Sequence, residues 1–240
     1  MRIVLTDGWS EKGTHQMDHS DIPKRIATYF GKISAESNHR YRSWEHCFRF
    51  FRAGRNEIRS NLDVAAVQLG FYLASWGMYR GSSFLLQRDY TVHKRTIEVL
   101  CSETFAALWE REIGANPADE QFADLILQAA GAVRSSYELL GNASDTLVTK
   151  VLLGTFACLP ACDRFFIDGF RRSGHQYSYV NAPFVKRMVG FCTKYAGELR
   201  QEQSRISLAG QADYPLMKLA DMYFWQVGFE AAGEPAEVVS

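Results

Sequence analysis

Apolar positions recur at helical spacing along most of the chain. Strict alternation of apolar and polar residues is nearly absent, and RIVL at Arg2 to Leu5 is the one candidate strand. Ser60-Asn61-Leu62-Asp63 reads as a capping box that opens DVAAVQLGFYLASW. That segment is apolar nearly all round, which predicts the central buried helix. Asn116-Pro117 starts another helix, with Pro at its first position, and Gly141 ends it. Ser144-Asp145 caps DTLVTKVLLGTFACL, which stops at Pro160. Asp163 starts DRFFIDGFRRSG, and Gly174 closes it. A long helix follows Asn181, and a last one runs from about Asp213 to Gly228. In WEHCFRFF the spacing buries Trp44, Phe48 and Phe51 and turns the arginines outward. The pattern predicts an all-α fold: a single helical domain over residues 21–230, an appendage at 1–20 and a frayed tail at 231–240.

Composition adds limits. The 240 residues are 47% apolar, enough for a sizeable core. No apolar stretch approaches the roughly 18 residues of a membrane span. The N-terminus MRIVLTDGWSEKG is too short and too soon charged for a signal peptide, so a cytoplasmic protein is expected. Five scattered cysteines suit buried, reduced thiols, and Cys158 and Cys162 read as two small core residues. His15, Asp18, His19 and Asp21 have the residue types of a metal site but read as a solvated loop. No metal and no other cofactor is expected.

The net charge is zero, which speaks against bulk nucleic-acid affinity. The charge is segregated, however. Arg40, Arg42, Arg49, Arg52, Arg55 and Arg59 fall within 38–60, and six more basic residues fall within 161–195. One face could therefore be basic on a neutral protein. P-loop, dinucleotide-binding glycine, HExxH and GxSxG patterns are all missing, which removes the common nucleotide, metalloprotease and hydrolase classes.

The stretch from Gly141 to Gly174 carries the sharpest signal. A helix ends in YELLGNAS, a glycine turn leads to DTLVTKVLLGTF, and the turn LPAC delivers Asp163 to the start of DRFFIDGFRRSG. This order resembles the helix-hairpin-helix base-excision DNA glycosylases. Their segment P-V-D-T-H-V-x-R-V-x-x-R-L-G aligns with L-P-A-C-D-R-F-F-I-D-G-F-R-R-S-G here. The resemblance covers about thirty residues and implies that Asp163 is the catalytic carboxylate. FYLASWGMYRGSSFLLQ takes the place of the family's pocket-lining turn, so Trp76, Tyr79 and Arg80 are expected at a base pocket, with Trp44 and Tyr41 as further stackers. KLADMYFWQVG is expected to pack behind it. Gly141, Asn142, Ser144, Arg164, Arg171 and Arg172 are expected to approach the DNA backbone, and Lys150 is a further candidate site residue of no assigned role. The hairpin reads L-L-G-N-A where the family has L-P-G-V-G. The lyase members carry a Lys just past the second hairpin glycine. Counted from Gly141 that place falls near Asp145, and Lys150 lies deeper, so a monofunctional enzyme is implied; a monomer that binds DNA is expected. Four cysteines for an iron–sulfur loop are missing. The substrate expected is a modified or damaged base, such as one carried by phage DNA.

The chemistry has its own logic. Breaking an N-glycosidic bond passes through a cationic sugar, and a carboxylate beside C1′ stabilises it. The first turn of a helix offers N–H groups that keep such a carboxylate ionised. Asp after a Pro turn is also a good plain N-cap. Two other readings stand beside this one. Arg88 and His93 fit R-x4-H, which resembles the motif of HEPN-type ribonucleases. A non-catalytic helical binding protein would need neither site, and would show an exposed apolar patch.

Overall fold

The computed structural model describes residues 19–208 and 213–233. Among them lie twelve α-helices and no strand. They are α1 (Ile22–Ala35), α2 (Arg42–Phe51), α3 (Arg55–Ser60), α4 (Leu62–Ser75), α5 (Lys94–Leu100), α6 (Ala106–Glu110), α7 (Ala123–Ser136), α8 (Asp145–Thr155), α9 (Arg164–Arg172), α10 (Ala182–Lys194), α11 (Ala196–Leu208) and α12 (Leu216–Ala231). The all-α class is as expected, and no described helix is long and apolar enough to cross a membrane. The candidate strand at Arg2 to Leu5, His15 and Asp18 lie outside the described residues.

Two helices are buried nearly all round. In α8 every residue from Leu147 to Thr155 is buried, and in α12 every residue from Leu216 to Gln226. Helices α2, α4 and α7 pack around α8, while α1, α9, α10 and α11 pack around α12. The expectation that α4 is the central helix is therefore corrected. Its inner face is buried, but Val64, Val67 and Phe71 form an exposed stripe. All-round hydrophobicity does not distinguish a buried helix from one with an apolar outer face.

Helix ends follow local chemistry, with some departures. Ser144 and Asn181 cap α8 and α10 through their side chains, as expected. The capping box at Ser60 does not form: Ser60 Oγ donates back to the Asn56 carbonyl, and Asn61 makes no side-chain cap. Asn116 and Asp119 do form one, though it opens a 3₁₀ turn (Pro117–Phe122) ahead of α7. Helix α7 stops at Ser136, before Gly141. Helix α8 stops at Thr155, before Pro160, because Ala157 turns left-handed at φ 51° and donates to the Leu152 carbonyl. The long helix after Asn181 breaks at Tyr195 into α10 and α11.

His19 and Asp21, read from the sequence as part of a solvated loop, are held by the fold. His19 is buried, its Nδ1 lying 2.8 Å from the Tyr223 hydroxyl, and Asp21 pairs with Arg25. Both serve to dock the start of α1 on α12. No group of three metal-ligating side chains occurs among the described residues. All five cysteines are buried, and none is in a disulfide.

Helices α9 and α12 cross in direct backbone contact. A Cβ on Gly169 would lie 1.8 Å from the Phe224 carbonyl oxygen, and one on Gly228 would lie 2.0 Å from that of Phe165. Gly131, in α7, faces open space. Gly169→Ala and Gly228→Ala should each lower unfolding free energy by about 3 kcal/mol or more. Gly131→Ala should raise it by about 0.5–1 kcal/mol. Urea melts of the three variants check this; equal midpoints would show that the crossing is not a constraint.

Candidate functional site

Asp163 both caps a helix and faces a charge. It sits at the N-cap of α9 with extended backbone, and its Oδ1 accepts from the Phe165 and Phe166 amides, each at 3.1 Å. Its Oδ2 lies 3.4 Å from Lys150 Nζ. Capping by one oxygen thus leaves the other for the ammonium.

Lys150 comes from the middle of α8 and is 3% exposed. Its Nζ also donates to the Trp76 carbonyl, at 3.2 Å, where α4 ends. Counting from the hairpin glycine carried no lyase role onto Lys150, yet the fold brings its Nζ beside Asp163. Helix α8 starts at Asp145, so Lys150 is one and a half turns in, on the side that the Pro turn folds against. Burial drives the Lys150 amine below the ordinary lysine range. Asp163 and Asp221 oppose that shift, and Lys218 adds to it. The Asp163 side chain is 17% exposed, so the pair meets solvent on the carboxylate side.

A second ion pair lies behind the first. Lys218 Nζ and Asp221 Oδ2, both on α12, are 2.7 Å apart and nearly inaccessible. Asp221 Oδ1 accepts from the Ala161 amide at 2.9 Å, inside the turn that leads to Asp163. Burial raises the Asp221 carboxyl, against the pull of Lys218 and the Ala161 amide.

Aromatic rings wall the two pairs. Trp76 stacks on Tyr41 at 4.8 Å, and Tyr41 on Tyr29 at 4.9 Å. Trp225 from α12 stands edge-on to all three. Lys150, Arg40 and Lys218 approach the Trp76 ring at 5.2, 5.4 and 5.8 Å. The indole N–H groups of Trp76 and Trp225 are buried without an acceptor.

The other expected residues are distributed differently. Trp76 and Tyr41 belong to the aromatic wall. Trp44 is core: it is stacked on Phe48 and its Nε1 donates to the Leu153 carbonyl. Tyr79 turns away, its hydroxyl 2.7 Å from His93 Nε2. Arg80 is exposed on the turn and folds over Gly77. Gly141 packs against the Phe84 ring, and Asn142 and Ser144 are exposed. The amide end of α8 is already served by the Ser144 hydroxyl, and Asp145 adds a carboxylate tied to Arg134, Tyr177 and Val180. A phosphate there would meet like charge. Arg164 is exposed over the Phe165 ring, whereas Arg171 donates to the Tyr177 carbonyl and Arg172 pairs with Asp168.

His93 is fully buried, with Nδ1 2.7 Å from the Tyr137 hydroxyl and Nε2 on Tyr79. Both ring nitrogens are occupied, which leaves none for a ribose hydroxyl, and Arg88 is exposed on the surface. The arrangement expected of a ribonuclease groove is absent at these two residues.

Lys218, Asp221, Trp225 and Arg40 were missed as site residues. The signal was present in LMKLADMYFW, where a Lys and an Asp one turn apart interrupt an otherwise apolar helix. Four cavities of about 440 to 1110 Å³, lined by described residues, lie elsewhere. No family model, no curated protein and no solved structure matches this chain.

Burial lowers His93 to about 4. Between that value and the ordinary histidine range the unfolded chain takes a proton that the fold refuses. Stability should therefore fall as pH drops from about 6.5 to 4, by about 3 kcal/mol from this residue. His93→Gln should flatten that slope in melts across the interval. An unchanged slope would mean that His93 is not the group responsible.

Proposed function

We propose that the chain is a DNA glycosylase in which Lys150 attacks the sugar and Asp163 stabilises it. The observation that carries the reading is Lys150 Nζ, buried, 3.4 Å from an Asp163 carboxylate held by two helix amides. A lysine depressed by burial has a larger share of neutral, nucleophilic amine at neutral pH. A carboxylate anchored by backbone N–H groups stays ionised to face a developing cation.

The steps balance simply. The amine lone pair bonds to C1′ of a flipped nucleotide and the nitrogen sheds a proton. The bond from C1′ to the base breaks, its electron pair leaves with the base, and the base takes up a proton. The nitrogen lone pair then opens the C1′–O4′ bond, O4′ takes a proton from water, and the protonated Lys150–C1′ imine that results is hydrolysed by the hydroxide left behind, freeing the amine and an abasic sugar. Asp163 Oδ2 offsets positive charge on the sugar during the displacement. Trp76, Tyr41 and Trp225 supply faces for stacking the base. The two unsatisfied indole donors suit a pocket completed by a ligand that brings acceptors. Trp76 lies over the amine, so entry of a base displaces this indole. Exposed Arg164 and Asn142 are the contacts available to the strand.

This reading replaces the monofunctional one implied by counting from the hairpin, because an amine stands at the carboxylate. A second reading has its own support. The exposed stripe of Val64, Val67 and Phe71, the last 59% exposed, is the apolar patch that a binding protein would carry.

The test uses wild type, Asp163→Asn and Lys150→Met on duplexes bearing damaged and phage-type modified bases. Mass spectrometry scores released base, and borohydride traps any lysine–sugar imine. Asn caps nearly as well as Asp, so Asp163→Asn should keep its melting temperature. Wild type should release base and trap, and each variant should lose at least about a hundredfold in rate. Release without trapping, surviving in Lys150→Met, would return the reaction to direct hydrolysis at Asp163. No release from any duplex would favour the binding protein.

A further inference from the structure

The Lys218–Asp221 pair has no part in the steps above, yet both its side chains are buried. Such pairs add little to stability over apolar residues of the same size. Its placement gives another reason for it. Asp221 Oδ1 accepts from Ala161 N–H at 2.9 Å, and the Ala161 carbonyl accepts from Asp163 N–H at 2.8 Å. Across the same turn, Cys162 N–H donates to Thr149 Oγ1, and Thr146 Oγ1 donates to the Cys162 carbonyl, both at 2.9 Å. The turn that presents Asp163 is thus held by α8 on one side and by a single carboxylate of α12 on the other.

Lys218 is fixed just as firmly. Its Nζ lies against Asp221 and over the rings of Trp44, Tyr29 and Trp76, at 5.1, 5.3 and 5.8 Å. Lys150 Nζ lies over the same Trp76 ring. Two ammonium groups therefore share one indole in a water-poor interior, where like charges repel strongly.

We infer that Lys218 and Asp221 are positioning residues for the Lys150–Asp163 site. Asp221 clamps the turn that presents Asp163, and Lys218 is the fixed cation that biases Lys150 toward the free amine. The inference rests on the glycosylase reading. The groups facing the two pairs are Asp163 on the turn, Tyr72 from α4, Tyr29 from α1, Tyr41 and Cys47 from the α2 region, and Arg40 beyond Trp76. Burial raises the three tyrosines and Cys47, so they stay neutral over the range to be tested.

The experiment is cyanoborohydride trapping of the full chain on a duplex with one abasic site, from pH 6 to 9, with duplex affinity measured in parallel. Wild type should trap through Lys150, faster as pH rises. Lys218→Met should move the midpoint up by about one unit and slow trapping about tenfold below it, without changing affinity. Lys218→Arg should restore the wild-type midpoint. Asp221→Leu should lower the plateau rate, whereas Asp221→Asn, which keeps an acceptor for Ala161, should lower it less. If single Asp221 variants fail to fold, the same pair is compared in the Lys218→Met background, where no unpaired lysine remains. An unmoved midpoint in Lys218→Met, or equal plateaus for Leu and Asn, overturns this inference alone. Absence of Lys150-dependent trapping in wild type overturns the glycosylase reading and this inference with it.

Discussion

Gly169 and Gly228 meet with no side chain between them, and this contact sets the depth at which α9 seats on α12. Any Cβ at either position would push the helices apart by more than the width of a methyl group can be absorbed. The site depends on that separation. Asp163 is the cap of α9, six residues before Gly169, and Asp221 and Trp225 stand on α12 ahead of Gly228. A wider crossing would carry the Ala161 amide away from Asp221 and Asp163 away from Lys150. Two small residues, themselves without chemistry, therefore hold four charged ones in register.

Four charges in a buried cluster need reciprocal pairing, and the fold supplies it from helix ends as well as side chains. Helix α4 ends with carbonyls that have no helical partner. Arg40 donates to that of Ser75 and Lys150 to that of Trp76. Helix α9 starts with amides in the same state, and Asp163 takes two of them. The negative end of one helix and the capped positive end of another converge on the same lysine. Each ammonium thus keeps an acceptor, and each carboxylate a backbone donor or a lysine. The cluster survives burial for that reason, while burial still weakens the hold of Lys150 on its proton.

How much of this the sequence disclosed follows from what each signal measures. Periodicity reports a face, and it marked α2, α4 and α7 to α12, with α10 and α11 read as one, while α1, α3, α5 and α6 were not read. It misjudged α4, because an apolar outer stripe looks the same as a second core face. Caps that depend on one side chain, such as Ser144, Asp163 and Asn181, were legible from local spacing. The left-handed turn at Ala157 was not, since no glycine marks it. Asp163 was legible as a cap, the part its Oδ1 plays, whereas the lysine that its Oδ2 faces was not. Lys150 was discounted because its place was counted along the chain from the hairpin glycine. Its distance to Asp163 is instead fixed through space, by the turn folding back on α8. Lys218 and Asp221 were visible only as an oddity in an apolar helix, with nothing in the sequence to say what they faced.

Trp76 fills the space in front of the two lysines and is held by Tyr41 behind, by three cations around its ring and by its own carbonyl on Lys150. An electron-rich face among three cations is stabilised as it stands. A ligand that takes its place must offer the same cations an equal or better surface. A neutral aliphatic group cannot do so. A stacked aromatic ring with acceptors on its edge can. The chemistry of the cluster thus selects against the bulk of small apolar ligands, whichever route opens the indole.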